Sequence, residues 1–97
     1  MYIANVETNN EWQDVADLVS AAISDTFAFS SDTTYHITNN SAFAVYLVNI
    51  DTKPENKYGV GMRLPAGAQA IFKPGDSLKL WAISPVNKCD LSVEAEG

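Results

Sequence analysis

Two different periods govern the hydrophobic positions of this chain. In NNEWQDVADLVSAAISD, the residues Trp12, Val15, Ala16, Val19, Ala22 and Ile23 recur at spacings of three and four, the period of a helix with one buried stripe. Asn10 stands where an N-cap belongs, and Glu11 and Asp14 lie near the end of such a helix that carries positive partial charge. The pattern predicts a helix over residues 11–23, although the same apolar residues also fit an irregular segment laid across a sheet. Residues 1–10 hold few apolar groups beyond Tyr2, Ile3 and Val6, and read as an N-terminal arm that orders only by docking.

From Thr26 onward the texture is that of strands. TFAFS at 26–30 fits a short strand, and SSDTT after it a turn. TTYHITN alternates, with Tyr35 and Ile37 on one face and Thr34, His36 and Thr38 on the other. AFAVYLVNI at 42–50 is rich in β-branched and aromatic residues and predicts a strand. In DTKPENKYGVG, Pro54, Gly59 and Gly61 exclude a central strand and mark a long polar connection. Turns at PAG and PGD bracket a short strand near Gln69–Phe72, LKLWAIS is the next strand, and CDLSVEA closes the series with Leu91 and Val93 inward and Asp90, Ser92 and Glu94 outward. Short strands separated by Pro, Gly, Asn and Asp predict an all-β protein. The expected architecture is a β-sandwich or jelly-roll-like barrel of about six to eight short antiparallel strands with a short N-terminal helix or arm. In domain terms this is an arm at 1–10 and one β-sandwich domain at 11–97 that includes the helix at 11–23.

Two of these strands are apolar on both faces. In LKLWAIS, Leu78, Leu80 and Ala82 oppose Lys79, Trp81 and Ile83; in AFAVYLVNI, Phe43, Val45 and Leu47 oppose Ala44, Tyr46, Val48 and Ile50. One face meets the core. The other needs a cover, either the 11–23 segment or a neighbouring subunit.

Composition narrows the options. A chain of 97 residues buries about 65% of the surface its unfolded form exposes, enough for one core. The net charge is −6 and the six bases (Lys53, Lys57, Arg63, Lys73, Lys79, Lys88) are scattered, which disfavours direct nucleic-acid binding and attraction to an anionic membrane. No run reaches the roughly 20 apolar residues of a membrane-spanning helix. MYIANVETNNE has neither the charge nor the apolar core of a secretory signal, and the single Cys89 permits no intramolecular disulfide, which fits a reducing cytoplasm.

Catalytic and metal chemistry find few residues to work with. His36 is the lone histidine and no CxxC occurs, so neither a metal site nor a cofactor is expected. Cys89 would act as a nucleophile only if the fold brought His36 to it; it reads instead as a small buried group. Asp14 with Asp17, and Glu94 with Glu96, share polar faces and read as solvated surface. GVG at 59–61 lacks the third glycine and the lysine of a phosphate loop, DTKPEN lacks the acid spacing of a calcium loop, and Asn39-Asn40-Ser41 is a chance glycosylation sequon. The expectation is a protein that is not an enzyme. Trp12, Tyr35, Phe43, Tyr46, Phe72 and Trp81 suit core and subunit contacts better than a sugar platform.

The order of features from Thr33 onward resembles a recurrent family of small tailed-bacteriophage virion proteins. The shared pattern is TTYHITNNS, then the hydrophobic AVYLVNI, a polar loop with a proline, the Leu-Pro-Ala-Gly turn of RLPAGAQAIFKPGD, the Leu-Trp-Ala strand of LKLWAIS and a closing LSVEAE; EWQDVADL looks like the entry to the module. The resemblance covers about two-thirds of the chain and rests on structural punctuation. It implies a β-sandwich carried on a phage particle, as a capsid decoration, head-fibre or tail-associated protein. The leading expectation is a decoration (cement) protein that binds the outer surface of the assembled head and stabilises it. Its partners would be the major capsid protein or other virion proteins, and it would form a homo-oligomer, a trimer being favoured. Localisation would be the virion, assembled in the host cytoplasm. Tyr2, Ile3 and Val6 would touch the shell, and Tyr46, Val48, Trp81 and Ile83 would meet neighbouring subunits. The alternative is a tail- or fibre-associated module that recognises a host surface glycan through exposed Trp and Tyr.

Overall fold

The computed structural model describes residues 1–86 and 88–96. Among these described residues, eight strands form two antiparallel four-stranded sheets. The first sheet has the order β1 (Tyr2–Thr8), β8 (Cys89–Ala95), β3 (Tyr35–Asn39), β6 (Gln69–Phe72); the second has β2 (Gln13–Asp14), β7 (Trp81–Ile83), β4 (Val45–Val48), β5 (Met62–Leu64). One short helix, α1 (Val15–Ile23), lies beside β1 and β2. The fold is a small all-β sandwich, as the strand pattern predicts.

The core follows from alternation. On β8, Cys89, Leu91 and Val93 point inward, while Asp90, Ser92 and Glu94 are half-buried on the outer face. Ile37 and Tyr35 of β3 join them, and Val45, Leu47, Leu64, Leu80 and Ala82 meet them from the second sheet. Each aliphatic side chain buried this way stabilises the fold by about 1.5–3 kcal/mol before entropy is counted. One aromatic group extends this core: Phe29 stacks edge-on against Tyr35 at 4.8 Å and Phe72 at 5.0 Å, with Phe27 at 5.2 Å.

Three elements differ from the sequence expectation. Residues 1–10 are not an arm separate from the domain. Residues 2–8 form an edge strand paired along its length with β8, with a register shift between Tyr2 and Ala4. Ala4, Val6 and Thr8 face inward, so the ordering entropy is offset within the chain's own sheet. The helix begins at Val15 rather than at residue 11. Gln13 and Asp14 pair with Ala82 and Trp81 first, and the Asp14 carboxylate, not Asn10, caps the helix by accepting from the Ala16 N–H at 2.9 Å. Ser24 ends the helix in the left-handed conformation (φ 56). TFAFS is not a strand: it docks through Phe27 and Phe29, the Ser20 hydroxyl accepting from the Phe27 N–H at 2.9 Å and the Tyr35 hydroxyl from the Ser30 N–H at 2.8 Å.

Asn39 fastens the two sheets at one corner. It is fully buried at the end of β3. Its amide donates to the carbonyls of Phe43 (2.7 Å), Leu64 (3.0 Å) and Pro65 (3.2 Å), and its side-chain oxygen accepts from the Ser41 N–H (3.0 Å) and hydroxyl (2.7 Å). The chain leaves the first sheet here to enter the second.

Candidate functional site

The four residues expected at a subunit interface do fall on one surface, the outer face of the second sheet. Ile83 pairs with Tyr46, and Trp81 with Val48. Because Gln13 pairs with Ala82, Trp12 stands next to Ile83 on the opposite flank. The outer face therefore carries a row of Trp12, Ile83, Tyr46 and Arg63, and beside it a row of Asp14, Trp81 and Val48. Lys79 reaches Asp14 at 3.6 Å and lies 5.8 Å from the centre of the Trp81 ring.

Much of the cover for this face comes from the chain itself. The polar connection between β4 and β5 folds back over it, and both indoles hold that connection by donating to its backbone: Trp12 Nε1 to the Asn56 carbonyl at 2.7 Å, Trp81 Nε1 to the Ile50 carbonyl at 3.0 Å. Lys57 pairs with Glu11 at 2.9 Å, and the Tyr58 hydroxyl donates to Asn10 at 3.2 Å. Gly61 passes so close that a Cβ there would lie 2.7 Å from the Leu47 carbonyl oxygen and 3.4 Å from the Trp12 ring. Ile83 is consequently only 1% exposed in the single chain. It does not belong to a surface that a neighbour can touch. Tyr46, Val48 and Trp81 remain half-buried. A concavity of about 230 Å³ opens between Tyr46, Lys57, Tyr58 and Gly59.

The residues expected to touch a shell divide in a similar way. Val6, at 4% exposure, is a core residue and cannot make that contact. Ile3 is half-buried and packs against the core, whereas Tyr2 is 59% exposed. The Tyr2 hydroxyl donates to Asn5 (2.6 Å), and the Asn5 amide donates to Asp90 (2.9 Å), which also accepts from Asn40 (2.9 Å). The outer face of the first sheet is thus polar and hydrogen-bonded along β1 and β8.

His36 and Cys89 are not brought together. His36 lies on that outer face, beside Gln69 (3.1 Å) and Glu96 (3.7 Å). It stands opposite Glu94, and Cys89 lies five residues further along β8, about 17 Å away and facing inward. The Thr8 hydroxyl donates to Ser84 (2.9 Å), whose own hydroxyl donates to the Val86 carbonyl (2.6 Å), so the polar atoms near Cys89 satisfy one another. Among the described residues no group of three or more His, Cys, Asp or Glu could hold a metal ion, and no helix is long and apolar enough to cross a membrane.

The last surface was not foreseen from the sequence. β5 and β6 each end a sheet on the same side of the sandwich, and an apolar groove of about 220 Å³ runs between them, lined by Leu47, Met62, Ala70, Ile71, Phe72 and Leu80 among others. Ile71 is 70% exposed and Met62 55%. The signal was present in the alternation of QAIF, whose Ile71 has no place in a polar outer face.

The class these observations define is a small all-β sandwich. Comparison with protein-family models, with curated proteins and with solved structures finds no match.

Proposed function

We propose that this protein is a structural component of a tailed-phage virion, a decoration protein that binds the assembled head and stabilises it. The observation that carries the reading is where the phage-like motif residues sit. TTYHITNNS supplies β3 and the buried Asn39 corner, RLPAG joins β5 to β6, and LWA leads into β7 between β2 and β4. The resemblance therefore lies in the residues that set the sandwich, and the exposed apolar edge of that sandwich supplies surface for assembly. Stabilisation would act by mass action: a ligand that prefers the assembled shell adds its binding free energy at every site it fills. Of the three shell-contact candidates, Tyr2 and the rim of Ile3 remain accessible.

The test is to mix the purified protein with undecorated heads and follow sedimentation and resistance to heat and chelator. Co-sedimentation with raised resistance is expected; no binding and no protection would refute the proposal. One observation favours a second reading, glycan recognition: two tyrosines and a lysine line the 230 Å³ concavity on the outer face of the second sheet. Glycan-array binding that is lost in Tyr58→Ala while the fold persists would support it over decoration.

A further inference from the structure

The hydrogen-bond phase of the first sheet fixes which backbone groups of β6 are free. Asn40 donates to the Asp90 carbonyl of β8 (2.9 Å), and Thr34 accepts from the Glu96 N–H just beyond β8 (2.8 Å), whereas Asn39 donates to the Ala68 carbonyl just before β6 (2.9 Å). Successive residues of a strand bond to opposite sides. Tyr35, Ile37 and Asn39 therefore bond towards β6, and the β6 residues paired with the first two are Phe72 and Ala70. Gln69 and Ile71 are left with N–H and C=O aimed away from the sheet, and no strand lies on that side among the described residues. Edge strands are commonly protected by Lys, Pro or a bulge. Residues 69–72 contain neither Lys nor Pro, their pairing with β3 has no register shift, and Ile71 stands 70% exposed among them. Ala70 and Phe72 turn to the other face and line the 220 Å³ apolar groove with Leu47, Met62 and Leu80.

We infer that this edge accepts an extended segment of another protein as an added strand, whose side chains alternate between the groove and Ile71. The main chain of the segment pairs with Gln69 and Ile71, every second side chain drops into the groove, and those between lie beside Ile71 on the outer face. An extended chain is the occupant that meets all three features. A helix or a small molecule in the groove would leave the backbone groups of β6 to water and Ile71 untouched on the opposite face. A second folded copy does not serve either. Its strands keep their inward side chains in their own core, so pairing β6 with β6 leaves both grooves empty. No charged side chain lines the groove, so the inserted residues are uncharged. Its volume exceeds the ~150 Å³ that admits a benzene, room for one or two aliphatic side chains. The inference goes beyond the proposed function and does not rest on it.

The probe is a blocked seven-residue peptide in which three valines alternate with two threonines between terminal lysines. It is titrated to about 1 mM, where even a weak complex forms, into the full chain at about 0.15 M salt. NMR should show saturable shifts confined to residues 69–72 and to Leu47, Met62 and Leu80, with amide exchange at Gln69 and Ile71 slowed about ten-fold. A peptide of the same composition with its valines contiguous should not bind. Methylating the backbone nitrogens of the valines, or those of the threonines, should abolish binding in one case only, because a strand presents its donors on alternate residues. Ile71→Pro removes an N–H that β3 does not use, and Met62→Lys puts a charge at the mouth of the groove at a 55% exposed position. Each should weaken binding about ten-fold with circular dichroism unchanged. Absence of shifts at residues 69–72, equal binding of the contiguous peptide, or identical effects of the two methylations would overturn the inference. Self-association through residues 69–72 without peptide would overturn it in favour of a second copy. Head binding is measured on separate samples without peptide, so failure of the proposed function and failure of this inference are distinguishable.

Discussion

Replacing Asn39 by alanine should remove a sizeable part of the domain's stability. Asn39→Ala removes one donor group that serves three carbonyls and one acceptor that serves Ser41. The Phe43 carbonyl keeps a second donor, the Ser41 hydroxyl at 2.9 Å. The Pro65 carbonyl likewise keeps the Ala68 N–H at 3.0 Å, and the Leu64 carbonyl loses this donor at a buried site. Each net hydrogen bond contributes about 1 kcal/mol, and a buried group left unpaired costs about 1–3 kcal/mol. One such group together with the lost bonds to Ser41 gives a loss of about 2–4 kcal/mol, a sizeable part of the ~5–15 kcal/mol that holds a domain together. The assay is urea unfolding followed by tryptophan fluorescence, with Ser41→Ala as the control that loses only about 1 kcal/mol. Asn39→Asp adds a pH test. A carboxylate facing three carbonyls raises the folded-state pKa above the unfolded value, so stability is full below the unfolded pKa and is lost as pH rises through the folded one. A midpoint for Asn39→Ala within ~1 kcal/mol of wild type would refute the assignment of this side chain as the fastener between the sheets.

Two glycines with the same backbone sign should respond differently. Gly59→Ala (φ +85, nothing within 4 Å) should cost only the conformational penalty of about 1 kcal/mol, whereas Gly61→Ala (φ +89, 2.7 Å from the Leu47 oxygen) should cost clearly more and release the overlying connection; thermal melts compare them. Trp12→Phe and Trp81→Phe each keep an aromatic ring but delete the bond to Asn56 or Ile50, and should raise hydrogen exchange across residues 50–61 while leaving β8 protected. Glu11 should titrate below the usual carboxylate range, because Lys57 donates a hydrogen bond to it and adds its charge, helped by Lys53; Lys57→Ala should return it to that range by NMR titration. With the folded pKa lowered, any stability this pair adds is present above the unfolded pKa and fades as pH falls through the folded one. Solvent exposure and salt screening keep the effect on melting small.

Parts of this architecture were plain in the sequence and parts were hidden, for physical reasons. β8 alternates without interruption, and its inward and outward residues are those the pattern assigned. β1 was hidden because one of its inward positions is the polar Thr8 and the register shift near Ala4 breaks the period of two. β5 contributes a single buried side chain, Leu64, too little for a pattern to register. TFAFS alternates like a strand yet pairs with neither sheet, since packing of Phe27 and Phe29 and two side-chain hydrogen bonds satisfy it. The grouping of Tyr46, Val48, Trp81 and Ile83 was legible, because cross-strand neighbours share parity. Their cover was not, because residues 50–61 hold the two indoles with backbone carbonyls, and backbone leaves no trace in side-chain type.

The position of β8 has a consequence for how the protein is made. It is the last of the eight strands among the described residues, yet it lies inside its sheet, between the first strand and the third. While a ribosome is still adding residues 89–95, β1 has no partner and β3 has only β6. Until then the inward side chains of β1 can meet α1 but no neighbouring strand of their sheet. The first sheet therefore closes only after residue 95 has cleared the exit tunnel. Folding is a late event governed by pairings distant in sequence, and the nascent chain passes through an interval with open strand edges.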